Sequence, residues 1–556
     1  MMQGKTERQL LAARWGALRD ERSSWMTHWR EISDCLLPRS GRFFVEDRNK
    51  GDKRHNKIYD NTGTRALRVL AAGMMAGMTS PARPWFRLTT SDPDLDESAA
   101  VKAWLAEVTR IMQMVFAKSN TYRALHSMYE ELGAFGTAST IVLSNYDTVI
   151  HHYPLTAGEF AIATDAEGKV NTLFREFQMT VAQAVGQFGY ANCSGTVRNL
   201  YDMGRLDQWL TVMHAIEPRT QRDTTKRDAR NMRWKSVYFE KAGSEDQLLS
   251  ESGFRDFTAL CPRWAASGGD VYGNSPAMEA LGDIKQLQHQ QLRKAQGIDY
   301  KVRPPLQAPT SMSKSQVDTL PGGISYVDAA TPSGGIRSAF EANIDLSHLL
   351  ADIQDVRERI KASFYADLFL MLANGTNPQM TATEVAERHE EKLLMLGPVL
   401  ERMHNEILDP KIEMTFARML EAGIVPEPPE ELQGAELNVE FVSMLAQAQR
   451  AIATNSIDRY VMSLGTIATI KPEVMDKFDA DRWADTYADM LGIDPELIVP
   501  SDKVALIRQQ RAQAAQAQQQ AEILSQGADA AAKLGGVDTS QQSALTDVTR
   551  AFSGYT

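Results

Sequence analysis

The chain has 556 residues, 43% hydrophobic and 24% charged, more than one hydrophobic core holds, so two to four packing units of an ordinary globular protein are expected. Residues 1–90 carry 17 Lys+Arg against 9 Asp+Glu, while the rest carries 43 against 62, giving a net −11 and a bulk that repels nucleic acid. Cys35, Cys193 and Cys261 lie far apart without a CxxC pair, which excludes a disulfide framework or a cysteine zinc site and suits a reducing compartment.

The opening MMQGKTERQLL lacks the apolar core of a signal peptide. The most apolar run, Val69 to Met78, is far shorter than the ~20 residues that span a bilayer, so a soluble intracellular protein is expected. Leu10, Leu11, Trp15, Leu18, Trp25, Trp29, Ile32 and Leu36 step at helical spacing and predict one helix over 5–37, ended by Pro38. A basic loop follows over 41–57; a solvated loop is its plain reading and a DNA or partner contact the functional one. In 64–88, Ala71, Ala72, Gly73, Ala76 and Gly77 leave one helical face without bulk, so another helix can approach closely. A further helix is expected over 98–133. From 138 to 261 the period shortens, predicting strands at 140–143, 159–164, 170–178, 209–216 and 233–240. The basic run 219–235 between the last two reads as a long hairpin loop, solvated or in contact with nucleic acid.

The stretch 275–420 organises the rest. Ser275-Pro276 opens a helix, with Ser as cap and Pro at the first helical position. Its stripe includes Leu281 and Ile284. A Pro/Gly-rich excursion fills 298–343, with short strands expected at 324–327 and 336–340. A second helix carries Ile353, Val356, Ile360 and Phe364 at the same spacing, so the two form an antiparallel pair holding the excursion at one end. Asn374-Gly375-Thr376-Asn377-Pro378-Gln379 then breaks the helical period with two turn dipeptides. Thr381-Ala-Thr-Glu384 fits a capping box that opens a long helix, kinked near Pro398 and Pro410. Residues 426–430 (PEPPE) mark a boundary, 440–511 read as helical, and the Gln/Ala-rich tail from Gln509 starts as an exposed helix and frays into disorder.

Catalytic signals are absent. Gly4-Lys5-Thr6 lacks the upstream glycine of a phosphate-binding loop, and His389-Glu390-Glu391 lacks the second His of a zincin. His151-His152 has no third ligand at a recognisable spacing and reads as a surface pair. No enzyme activity, metal or cofactor is expected.

Ala71-Ala-Gly-Met-Met-Ala-Gly-Met-Thr-Ser-Pro81, Pro84-Trp-Phe-Arg-Leu88, Tyr272-Gly-Asn-Ser-Pro276, Met380-Thr-Ala-Thr-Glu-Val-Ala-Glu-Arg388 and Leu396-Gly-Pro398, in this order and separation, resemble portal (head-to-tail connector) proteins of podovirus-type short-tailed bacteriophages. The resemblance spans about residues 5–480. It implies a mixed α+β, predominantly α-helical portal fold and a ring, usually of twelve subunits, at one capsid vertex. Double-stranded DNA would pass through the ring during packaging and ejection. In those terms 1–271 form the wing, 272–297 the first stem helix, 298–343 the clip and 344–372 the second stem helix. Residues 373–380 form the tunnel loop, 381–430 the long wing helix, 431–511 a helical crown and 512–556 a disordered tail. Asn374, Gly375, Thr376, Asn377 and Gln379 would face DNA, and Leu281, Ile284, Ile353, Val356, Ile360 and Phe364 would pack the stem. The implied partners are the large terminase, which holds the packaging ATPase, then tail adaptors, with capsid and scaffolding proteins around the rim; no membrane is involved. The alternative is a scaffolding or adaptor protein that binds capsid without a DNA conduit.

Overall fold

The computed structural model describes residues 6–43, 51, 57–92, 95, 98–226, 228–242, 247–302, 306–307, 337–338, 347–374, 395–432, 434, 436–443, 445, 460–469, 471–491, 499 and 501–535. It divides into two compact units, 1–475 and 476–556.

The first unit begins with α1 (Glu7–Glu21) and α2 (Ser23–Cys35) rather than one helix. Thr6 caps α1 through a reciprocal box with Gln9, so the hydroxyl of the Gly-Lys-Thr fragment has a structural task. The break falls at Arg22, whose buried guanidinium donates to the Phe160 carbonyl. A long apolar stripe conceals such a break, because both halves keep the same spacing. The helix α3 (Thr62–Met78) is followed by β1 (Phe86–Thr90), then α4 (Ala99–Lys118) and α5 (Thr121–Phe135).

The β-rich region contains β2 (Ser139–Asn145), β3 (Val149–Leu155), β4 (Phe160–Thr164) and β5 (Val170–Thr180). Two short helices, α6 (Val181–Phe188) and α7 (Gly195–Asp202), precede β6 (Trp209–Pro218). Then come β7 (Trp234–Glu240), β8 (Ser250–Phe254) and β9 (Ala259–Leu260). Strands β4-β5-β6-β7-β8 form an antiparallel meander, and β3-β2-β9 a smaller sheet. The five predicted strands all lie here. The sequence misses β3, β8 and β9.

The remaining elements of this unit are α8 (Pro276–Val302), β10 (Leu306–Gln307), β11 (Arg337–Ser338), α9 (Ser347–Ser363) and α10 (Ala366–Asn374). Helix α11 is described over 395–403. It passes through a π turn (His404–Leu408) into α12 (Asp409–Glu421), so the irregularity expected near Pro410 takes the form of a widened turn. Strand β12 (Leu437–Phe441) pairs with β1, from Phe86 opposite Phe441 to Thr90 opposite Leu437. The region read as a helical crown from 431 therefore opens with a strand that returns to the N-terminal third. Helix α13 covers 460–468.

The main core gathers α2–α5, α8–α12 and the small sheet around Trp29, Phe116, Phe135, Phe364 and Met403. A second cluster packs α1 on the five-stranded sheet through Trp15 and Phe174. A third packs α6 and α7 through Phe188 and Val197.

The second unit contains α14 (Ala480–Leu491) and α15 (Ser501–Gly535), linked by a two-pronged Arg508–Asp481 pair. Helix α15 runs on through 512–535, inside the segment expected to fray into disorder, where Ala and Gln bring high helix propensity.

Candidate functional site

Helices α8 and α9 lie antiparallel. Gln290 meets Asp352 and Asp283 meets Arg359 (3.4 Å), two cross-links that set one register. The motif ahead of α8 docks it. Tyr272 is buried against Trp25 and Trp29, and its hydroxyl accepts the Ile162 N–H at 3.1 Å. The Gly273 N–H donates to Thr137 Oγ1 at 2.9 Å. A Cβ on Gly273 would stand 2.4 Å from the Gly136 carbonyl oxygen, so only glycine allows this backbone crossing. Ser275 Oγ donates to the Ala134 carbonyl (2.8 Å) and accepts the Met278 N–H (3.1 Å), capping α8 on α5.

Leu281, Ile284, Ile353, Val356, Ile360 and Phe364 are all buried within the single chain. Their stripes are covered by one another and by α2, α3 and α5. Gly63 lets Ile284 into contact with α3, so that face of the pair is packed within the chain. Only the far end of the pair, with Ile298, Tyr300, Val302 and Leu350, leaves apolar side chains exposed. Helix α8 also continues five residues into the predicted clip, where β10 pairs with β11 of the same chain. The expected strand at 324–327 lies outside the described residues.

Asp60 joins α3, α8 and α9, a junction that the sequence reading missed. Its carboxylate accepts from Thr62 N–H (2.8 Å), Gln291 Nε2 (3.0 Å) and Arg357 Nη2 (2.7 Å). Gln288 binds its backbone on both sides, with Oε1 accepting the Asp60 N–H and Nε2 donating to the Asp60 carbonyl. Burial pushes the Asp60 carboxyl up, but hydrogen bonds from Thr62 and Arg357 outweigh it and hold the group below the usual aspartate value. The local signal was present: Asp-Asn-Thr before an apolar run is a helix-start pattern. Nothing local marks Gln288 or Arg357 as its partners.

The second stem helix, expected to be continuous to 372, breaks at Tyr365, where φ is +53°, a left-handed value costly for a bulky side chain. The break redirects α10 so that Phe369 lies on Gly73 of α3, whose added Cβ would fall 2.2 Å from the ring. The small-residue face of 71–77 thus receives the helix that leads into the candidate tunnel loop. Asn374 is the last residue of α10 rather than part of a loop, while Gly375, Thr376, Asn377 and Gln379 lie outside the described residues. Beyond the gap, Glu406 of the π turn binds Arg263, through Oε1 to Nη2 at 2.6 Å and Oε2 to the backbone N–H at 2.8 Å.

Two buried basic side chains, Lys411 and His152, have no hydrogen-bond partner for their side-chain nitrogens. Lys411 is fully buried over the Phe116 ring, with Nζ 4.8 Å from its centroid and no hydrogen bond. Burial pushes its ammonium well below the usual lysine value. His152 is buried rather than a surface residue, because the β3 alternation turns it inward; neither ring nitrogen has a partner. Burial, then the Lys411 charge, holds it well below the usual histidine value. Among the described residues no group of His, Cys, Asp or Glu could hold a metal ion, and no helix is long and apolar enough to cross a membrane.

Residues 8–499 match the family described as bacteriophage head to tail connecting protein. The chain belongs to that family. A probable portal protein of Bordetella phage BPP-1 is 76% identical over 555 residues, covering 100% of both chains. The portal protein of Salmonella phage epsilon15 is 44% identical over 548 residues, covering 98% of this chain and 99% of its own. Among solved structures, a chain in the neck of an empty GTA particle covers 73% of this connector and 86% of its own length, at 11% identity and a TM-score of 0.36. The connector's helical core and antiparallel sheets make it a mixed α+β, predominantly helical member of the family.

Proposed function

We propose that this connector works as the portal of a short-tailed phage. Copies of it form a ring at one capsid vertex, and double-stranded DNA passes through the ring during packaging and ejection. The observation that carries this reading is full-length relationship: the family match spans 8–499, and two portal proteins align from end to end. In this reading α8 and α9–α10 are the stem, 298–343 the clip and 375–380 the core of the tunnel loop. The twelvefold count belongs to the proposal. So do docking of the large terminase and then tail adaptors, and contacts with capsid and scaffolding proteins. The role is structural, with nucleotide hydrolysis left to the terminase.

The Asp60 junction and the Phe369–Gly73 contact support a rigid strut with a loop carried at one end. A genome conduit needs that arrangement, since the loop must meet DNA while the strut holds position. The test is complementation. Particles made without this chain should contain no packaged genome, and supplying it in trans should restore full-length DNA. Filled heads formed in its absence would leave only the scaffolding or adaptor role.

A further inference from the structure

The hairpin between β6 and β7 is the most cationic stretch of an acidic chain, with seven Lys+Arg against two acids in 219–235. The structure sorts these charges into two sets. Arg219 binds Glu251 (2.9 Å) and the Ser252 carbonyl (3.2 Å), and Lys235 binds Glu217 (2.8 Å) and Glu7 (3.4 Å). The carboxylates at the strand ends are therefore already engaged. The two acids of the loop are tied up in its shape. Asp223 accepts from Thr225 N–H and Oγ1 and lies 3.6 Å from Lys226, while Asp228 accepts from Asn231 at 2.6 Å. Asn231 Oδ1 accepts the Asp223 N–H at 3.0 Å, closing the loop on itself. The 3-10 turn Ala229–Asn231 rests on β8, where a Cβ on Gly253 would stand 2.2 Å from the Ala229 carbonyl oxygen.

What remains is a set of exposed guanidiniums on a fixed support. Arg222, Arg230 and Arg233 have no carboxylate partner among the described residues. Arg255 joins them, because Trp234 pairs with Phe254 and sets 233 beside 255 at the end of the ladder. The neighbouring acid Asp256 lines a separate groove with Glu406 and Glu413. No large apolar side chain stands among residues 219–231, so the loop itself lacks the buried apolar centre of a protein interface; beyond it Arg233 lies over the Trp234 ring, 5.8 Å from its centroid. Planar guanidiniums match phosphate oxygens in two-pronged geometry, and phosphate contact requires nothing else.

We propose that this face of the β6–β7 hairpin binds the phosphate backbone of double-stranded DNA, as a contact separate from the loop at 375–380. The proposal rests on the portal reading for its source of DNA. The test uses the purified, assembled full chain and a short random-sequence duplex, with affinity measured across a salt series. Four phosphate contacts correspond to ~3.6 in the slope of log affinity against log salt. Replacing Arg222, Arg230, Arg233 and Arg255 together by Gln should remove that much slope, and replacing them by Lys should keep most of it. The pair Arg222→Gln with Arg230→Gln, a smaller change to the fold, should remove about half of it. Electron micrographs of the same samples separate the two readings: a wild-type ring with an unchanged slope in the Gln variants overturns the hairpin proposal alone. A wild-type chain that never forms a ring overturns the portal reading. Gln variants that retain duplex affinity but lose binding to poly-glutamate would reassign the face to an acidic protein.

Discussion

Gly73→Ala is the sharpest probe of the strut. In an exposed helix interior this substitution stabilises by up to ~1 kcal/mol, since alanine has the better helix propensity. At Gly73 the new methyl would lie 2.2 Å from Phe369 Cγ and 2.5 Å from its Cβ, so α3 or α10 must move. Phe369 is 4% exposed in the main core and has little room to swing away. Overpacking of this kind costs ~1–3 kcal/mol, which offsets or exceeds the propensity gain and leaves a net loss of up to ~2 kcal/mol. Gly16 is the control: it lies inside α1 with nothing within 4 Å of an added methyl. Chemical denaturation of both variants decides the matter. Gly73→Ala should lower the midpoint and Gly16→Ala should raise it slightly, and adding Phe369→Leu to Gly73→Ala should recover part of the loss. Equal stabilisation at both glycines would refute the claim that α10 is seated on α3.

Further outcomes follow from the same contacts. Lys411→Met should raise stability at neutral pH, because the wild-type ammonium must lose its proton or its hydration to be buried; in the unfolded chain that lysine binds a proton up to ~10.4, so wild-type stability rises with pH and the advantage of Met should shrink towards pH 10. A constant difference between the two in melting scans from pH 7 to 10 would contradict this. Asp60→Asn should destabilise by ~1 kcal/mol at neutral pH through loss of its charge-assisted bonds. Since the folded carboxyl titrates below its unfolded value of ~3.9, wild type loses that advantage as the pH falls through the folded value, and urea midpoints should converge there. Thr376→Lys should leave assembly intact yet slow packaging or ejection at low salt, because each lysine around the ring adds counterion release; unchanged packaged length and ejection rate at low and high salt would remove this loop from the DNA path.

The sequence was most readable where one period ran unbroken. Leu281 to Ala295 and Leu346 to Leu372 announced a helix pair, and the pair is antiparallel as expected. What periodicity could not reveal was coverage. An apolar stripe looks the same whether α3 of the same chain or a neighbouring subunit buries it, and here the chain covers its own. Breaks were equally hidden: Arg22 and Tyr365 interrupt helices without disturbing the spacing, one through a buried guanidinium and the other through a left-handed backbone. Long-range partners such as Arg263 with Glu406, or β1 with β12, leave no local trace because the energy lies in pairing residues far apart in sequence. The strand at 86–90 was not read from the sequence, where Pro84 to Leu88 entered only as a family motif. The Gln/Ala-rich tail was expected to start as an exposed helix and then fray, and its helix runs to Gly535.

The central claim is that copies of this chain close around a path for duplex DNA. Cryo-electron microscopy of the purified full-length protein tests it directly. The account predicts closed rings with a central opening wide enough for B-form DNA, with α8 and α9 as struts along it and 375–380 projecting towards the opening. Monomers, dimers or open filaments at every salt concentration, or rings whose centre is blocked by the five-stranded sheet, would contradict it.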